Sequence, residues 1–293
     1  EENGRLYGRG ACDTKGPLAA FMATLDDEVL AALATSSIEL IWLGAIGEET
    51  GNLGAEEAIA AGLRADECVV LEPTDLQVVH AHKGVCWFTA ATRGRAAHAS
   101  DPSRGDNAIL KMAQVWGILA EATAEAAKQY PGHVLGSPTI SIGTIQGGSG
   151  TNIVPDRCEI QVDRRLMPGE SAPAVFADLQ QRLAVVPGGV ELTLLKEGLP
   201  FHTPADAPLV REFSAALAAG GVPSVVTGAP WCSDAGPLAL ACGQTIVWGP
   251  GAIAQAHTVD EYIETAVLET ARKVLRHFLL AAAGLADDQD ARH

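Results

Sequence analysis

The side chains best suited to chemistry in this chain are carboxylates and a histidine placed in tight turns. Gly8-Arg9-Gly10-Ala11-Cys12-Asp13-Thr14-Lys15-Gly16 sets Asp13 in a glycine-rich turn ahead of a helical pattern. Gly47-Glu48-Glu49-Thr50-Gly51 brackets two adjacent carboxylates with glycines, and Glu72 closes an apolar run just before Pro73. His257 follows in Gln255-Ala256-His257-Thr258. Singly, each has a plain reading: Asp13 as a helix N-cap, the glutamate pair as solvated loop charge, Glu72 as an ordinary strand end. Together, four carboxylates at successive strand ends concentrate negative charge that is costly unless cations neutralise it. Aspartate and glutamate oxygens with a histidine nitrogen form the ligand set of hydrolytic metal sites, zinc above all. Two adjacent glutamates can divide the work, one binding metal while the other takes a proton from the attacking water.

These turns converge only if the strands before them are neighbours in one open sheet, where ligands gather past the carboxyl ends. Residues 16–33 have helical period, with Pro17 in the first turn where its missing N–H does no harm. Residues 38–43 (IELIWL) are a short apolar run that reads as a buried strand. A helix over 53–61 and a strand over 68–71 continue the β-α-β rhythm, which predicts an α/β fold with a mainly parallel sheet. After Gly84 the order changes to strand 85–92, helix 107–128, strands 139–145 and 157–164, helix 172–183 and strand 191–195. That β-α-β-β-α-β order belongs to a two-layer, ferredoxin-like module. Alternation resumes with helix 208–219, strand 245–247 and helix 263–283. The expected organisation is a catalytic domain over residues 1–83 and 197–293, interrupted by an inserted module over 84–196.

Composition narrows the function classes. With 47% hydrophobic and 19% charged residues the chain has the makings of a large core. A net charge of -16 repels phosphate backbones, so no nucleic-acid partner is expected. Apolar stretches such as 279–285 are too short to span a bilayer. Six scattered cysteines without a C-x-x-C pair read as reduced, mostly buried thiols, which suggests the cytoplasm. His80 and His82, spaced i, i+2 on one strand face, are a competing ligand pair, but the chain runs from them directly into Lys83-Gly84 at the crossover. The Gly8-x-Gly10 turn lacks the third glycine of a dinucleotide fingerprint.

The segments GRGACDTKG, GEETG, LEPTDLQVVHAHKG, GRAAHASDPSRGDNAI, GTIQGGSGTNIVPDRCEIQVDRRLMPGE and GPGAIAQAHTVDEY resemble those of the M20 family of metallopeptidases and deacylases, in order and across almost the whole chain. The resemblance implies a zinc-exopeptidase-like catalytic domain holding two zinc ions, with cobalt as a possible substitute. Asp13 would bridge both ions, Glu72 would ligate one, and Glu49 with His257 the other. Glu48 would be the general base. The inserted module would be the family's lid and dimerisation domain, making the protein a homodimer. Its His98 would stabilise the oxyanion in the partner subunit's site. Asn152 and Arg165 would bind the substrate's carbonyl and carboxylate, the latter through the planar guanidinium fork.

The expected substrate is an N-acyl amino acid, with N-acetylornithine favoured by the AHKG and GPG-x-x-x-Q-A-H strings. Desuccinylation of succinyl-diaminopimelate, aminoacylase action and glutamate-releasing carboxypeptidase action share the same site. The family also places a His-x-Asp motif ahead of the GRG turn, and none occurs in this sequence. The expectation is that the sequence is a fragment of a longer chain. The alternative is a shortened, non-catalytic dimeric relative.

Overall fold

The computed structural model describes residues 1–285. Its first part contains β1 (Arg5–Tyr7), α1 (Gly16–Thr24), α2 (Asp27–Thr35), α3 (Leu53–Ala60), β2 (Ala65–Val70) and β3 (Val78–His82). The middle contains β4 (Gly84–Arg93), α4 (Ala108–Ala127), β5 (Thr139–Gly147), β6 (Arg157–Leu166), α5 (Ala172–Leu183) and β7 (Val190–Gly198). The last part contains β8 (Phe201–His202), α6 (Pro208–Ala219), β9 (Val226–Ala229), α7 (Ala235–Leu238), β10 (Cys242–Val247), β11 (Tyr262–Glu264) and α8 (Thr265–Ala282).

The fold is α/β, as its sequence implies. One sheet runs β2-β10-β3-β8, with β9 also paired to β3. Its longer pairings are parallel and its shorter ones antiparallel. The β10–β2 and β3–β9 pairs are parallel, while β10–β3 and β3–β8 are antiparallel. Strands β3, β8 and β9 are too short or too uniformly buried to show a period of two. The sheet's core joins Val78, Ile246 and Trp248 to Phe213 and Leu217 of α6 and Val274 of α8. α8 places Ala271, Val274, Leu275 and Leu279 inward, the i, i+3, i+4 spacing of a one-faced helix.

A second sheet has the order β5-β6-β4-β7, all antiparallel, with α4 and α5 covering one face. β6 shows why: Cys158, Ile160, Val162 and Leu166 alternate inward onto Phe88, Val115, Leu119 and Leu183. Asn107 caps α4 by accepting from the N–H groups of Ile109 and Leu110, and Ser171 caps α5 from Ala174. The chain leaves the first sheet through β3 and returns through β8, which pair with each other. Gly84 and Gly198 meet at that crossing. A β-carbon on Gly84 would lie 2.3 Å from the Gly198 carbonyl oxygen, so no side chain fits.

Two expectations are corrected. The helical pattern over 16–33 breaks into α1 and α2, because Asp26 turns to accept the Val29 N–H and caps a new helix. Residues 38–43 form no strand. An apolar run becomes a strand only beside a partner for its backbone, and no described strand lies against this one. Its side chains are accordingly exposed, Trp42 by 58%. No helix among the described residues is long and apolar enough to cross a membrane.

Candidate active site

Asp13 is held by an unusual clamp. The Glu261 carboxylate, buried, accepts from the backbone N–H of Gly10 at 2.8 Å and from those of Cys12 and Asp13 at 2.9 Å each. Burial opposes ionisation of Glu261, but these three donors outweigh it and hold the carboxyl below its usual range. The turn it grips presents the Asp13 side chain to His257, whose own backbone is left-handed. His257 Nε2 lies 3.3 Å from Asp13 Oδ2 and 2.5 Å from Glu49 Oε1. One ligand atom from each of these three residues falls within 4.8 Å of the other two.

Glu48 and Glu72 complete an acidic cluster. Burial pushes the Glu48 carboxyl up to about 7, helped by the charges of Glu49, Asp234 and Asp13 and opposed by Lys196. Burial likewise raises Glu72 well above the usual range, followed by Asp13, Glu48, Asp234 and Glu49. Asp13 is raised by burial and by Glu49. The four expected carboxylates therefore sense one another, and each would be relieved by a cation. Donor atoms about 2.0–2.2 Å from a zinc ion lie about 3–3.5 Å apart, and the Asp13–His257 separation is of that size. The donor chemistry fits a divalent metal.

Arg165 stands close enough to influence the Cys232 thiol, which also feels Glu48 and Lys196. Its guanidinium donates to Asp163 at 2.9 Å. His98 and Asn152 belong to the inserted part of the chain. They are side by side on adjoining loops of the four-stranded layer, where the Ala99 N–H donates to the Asn152 carbonyl and His98 Nδ1 meets Ser100 Oγ at 2.7 Å. Among the described residues no hydrogen bond or ion pair joins either to the acidic cluster.

His80 and His82 are not a ligand pair. His80 Nδ1 bonds the Thr203 carbonyl, while His82 lies between the Lys83 carbonyl and Ser233. Burial lowers His82 to about 4, keeping it neutral.

The sequence reading overlooked Glu261, Lys196, Asn52 and Asp234. Glu261 lies inside the GPGAIAQAHTVDEY string and Asn52 directly follows the GEETG string, so both are within reach of the sequence, whereas Lys196 and Asp234 come from segments far away along the chain. Lys196 Nζ donates to the Glu49 carbonyl at 3.0 Å and lies 5.2 Å from the Trp87 ring centroid.

A family profile described as peptidase family M20/M25/M40 matches residues 1–281. The chain belongs to this family. It is 33% identical over 287 residues to an acetylornithine deacetylase of Edwardsiella ictaluri, covering 95% of this chain and 73% of the relative. A protein of the same description from Aliivibrio fischeri is 32% identical over 285 residues, covering 94% and 72%. Among solved structures, an M20 family metallo-carboxypeptidase from Sulfolobus solfataricus superposes with a TM-score of 0.73 at 21% identity, covering 97% of this chain and 79% of its own. This M20 chain is accordingly a metal-dependent hydrolase acting on amides.

Proposed function

We propose that this protein removes the acyl group of an N-acyl amino acid, N-acetylornithine first, as a cytoplasmic step of arginine biosynthesis. The observation that carries the reading is the meeting of Asp13, Glu49 and His257 beside the raised carboxyl of Glu48. Likeness to two acetylornithine deacetylases supports the choice of substrate, and six free cysteines support a reducing compartment.

Asp13 would stand between two zinc ions, Glu72 on one and Glu49 with His257 on the other, with cobalt able to replace zinc. Bound zinc would supply Lewis acidity to the amide carbonyl and make water easier to deprotonate. Glu48 takes the proton of the attacking water and returns it to the leaving amine. A partly buried carboxyl next to the ligand Glu49 is placed to do both. Arg165 binds the substrate carboxylate, and Asn152 its carbonyl.

Residues 84–196 act as lid and dimerisation domain. Support comes from an unpaired edge, β5, beside an α4 face that exposes Leu110 by 65% and Trp116 by 59%. In such a dimer His98, which makes no hydrogen bond or ion pair to its own cluster among the described residues, serves the partner's site.

Replacing Glu48 by Gln tests the assignment. Release of ornithine from N-acetylornithine should fall about 100- to 10,000-fold while zinc content stays at the unmodified level. Undiminished turnover would sink the general-base role, and hydrolysis of another N-acyl amino acid without hydrolysis of N-acetylornithine would sink the substrate.

A further inference from the structure

Asn52 and Asp234 stand immediately before helices α3 and α7, at the position where Asn and Asp usually cap. Neither side chain caps its helix. Instead Asn52 Nδ2 donates to Asp234 Oδ1 at 2.8 Å, across 182 residues of sequence, with Asn52 5% and Asp234 8% exposed. Asn52 also adopts a left-handed backbone (φ 61), a conformation that Asn tolerates but that has a cost. Two caps are thus given up, and one residue is held in an uncommon conformation, for a single buried bond.

The segment held by that bond carries Glu48 and Glu49. Gly47 and Gly51 of this segment are also left-handed, and between them Glu48–Thr50 form a single 3-10 turn. Its own hydrogen bonds are short-range: Thr50 N–H to the Gly47 carbonyl, Gly51 to Glu48, and Asn52 to both Gly47 and Glu48. Among the described residues its long-range polar links are three: Lys196 to the Glu49 carbonyl, His257 Nε2 to Glu49 Oε1, and Asn52 to Asp234, the last being the buried one. The Lys196 bond is exposed and comes from the four-stranded layer, whereas the Asp234 bond is buried and comes from the residue just before α7.

We infer that the Asn52–Asp234 hydrogen bond is a positioning brace that fixes the Glu48–Glu49 loop against the rest of the acidic cluster. Asp234 and Asn52 are positioning residues, acting through the loop. The turnover consequence rests on the hydrolase reading above; the loop consequence does not.

The test compares four variants with the unmodified chain. Asn52→Ala and Asp234→Ala remove the bond. Asp234→Asn keeps an acceptor without the charge, and the double exchange Asn52→Asp with Asp234→Asn rebuilds the bond with donor and acceptor reversed. Amide hydrogen exchange is followed over residues 47–54, together with zinc content, kcat and KM for N-acetylornithine, and thermal midpoint. Both alanine variants should speed exchange in that segment about tenfold or more, the protection a buried charge-assisted bond contributes. kcat should fall about 100-fold with KM within about twofold, as expected of misplaced catalytic groups. Asp234→Asn and the double exchange should return both within about threefold of the unmodified values.

Unchanged exchange at 47–54 in Asn52→Ala overturns the brace. So does faster exchange that the double exchange fails to reverse. If alanine variants do not fold, Asp234→Asn and the double exchange decide alone, since loop exchange well above the unmodified level in both contradicts the inference. If no form hydrolyses N-acetylornithine, the turnover readout falls away and the exchange measurement alone decides the brace.

Discussion

Glu48, Glu72, Asp13 and Asp234 all hold their carboxyls above the ordinary range, with burial the largest cause for each. The folded chain therefore binds these protons more tightly than the unfolded chain does. For Glu48 the contribution to stability is greatest below about 4.5 and declines as pH rises toward about 7. In the presence of chelator, the thermal midpoint should fall between pH 5 and pH 8, and added zinc should raise it more at pH 8 than at pH 5. A midpoint that rises over that interval would mean that the cluster is not the dominant titrating group. Glu261 has the opposite sign, its stability being lost only on acidification. At this scale the candidate ligands were legible because glycines and prolines mark the turns that present them. Asn52 and Asp234 were not, because their types read as caps and only tertiary contact shows otherwise.

The β1–β11 pair brings Tyr262, next to Glu261, opposite Tyr7, next to Gly8, so one short ladder delivers the carboxylate to the GRG turn. Replacing Glu261 by Gln leaves an amide group facing backbone donors and should cost about 1–3 kcal/mol, read as a lower urea midpoint with unchanged slope. No loss would show that the clamp is dispensable. Elements α4, α5, α6 and β6 could be read from sequence because each has one apolar face or edge with its own cap or break. The run at 38–43 misled because apolar composition names a preference for burial, not the neighbour that grants it. β3 and β8 gave no period, β3 being buried on both faces and β8 only two residues long.

If α4 and β5 form a dimer interface, Trp116→Glu with Leu110→Glu should shift the protein from dimer to monomer in light scattering after gel filtration. Turnover should fall with it, since His98 would lose the site it serves. Retention of the dimer would move the interface elsewhere. One further property follows from the crossing at β3 and β8. His80 Nδ1 and the Thr203 carbonyl are 2.7 Å apart, yet 123 residues separate them in sequence. An unstructured chain pays loop-closure entropy to bring such distant points together. A four-stranded layer already formed presents Gly84 and Gly198 in contact and removes most of that search. Once that layer is closed, β3 and β8 stand to each other as two neighbouring arms of a hairpin.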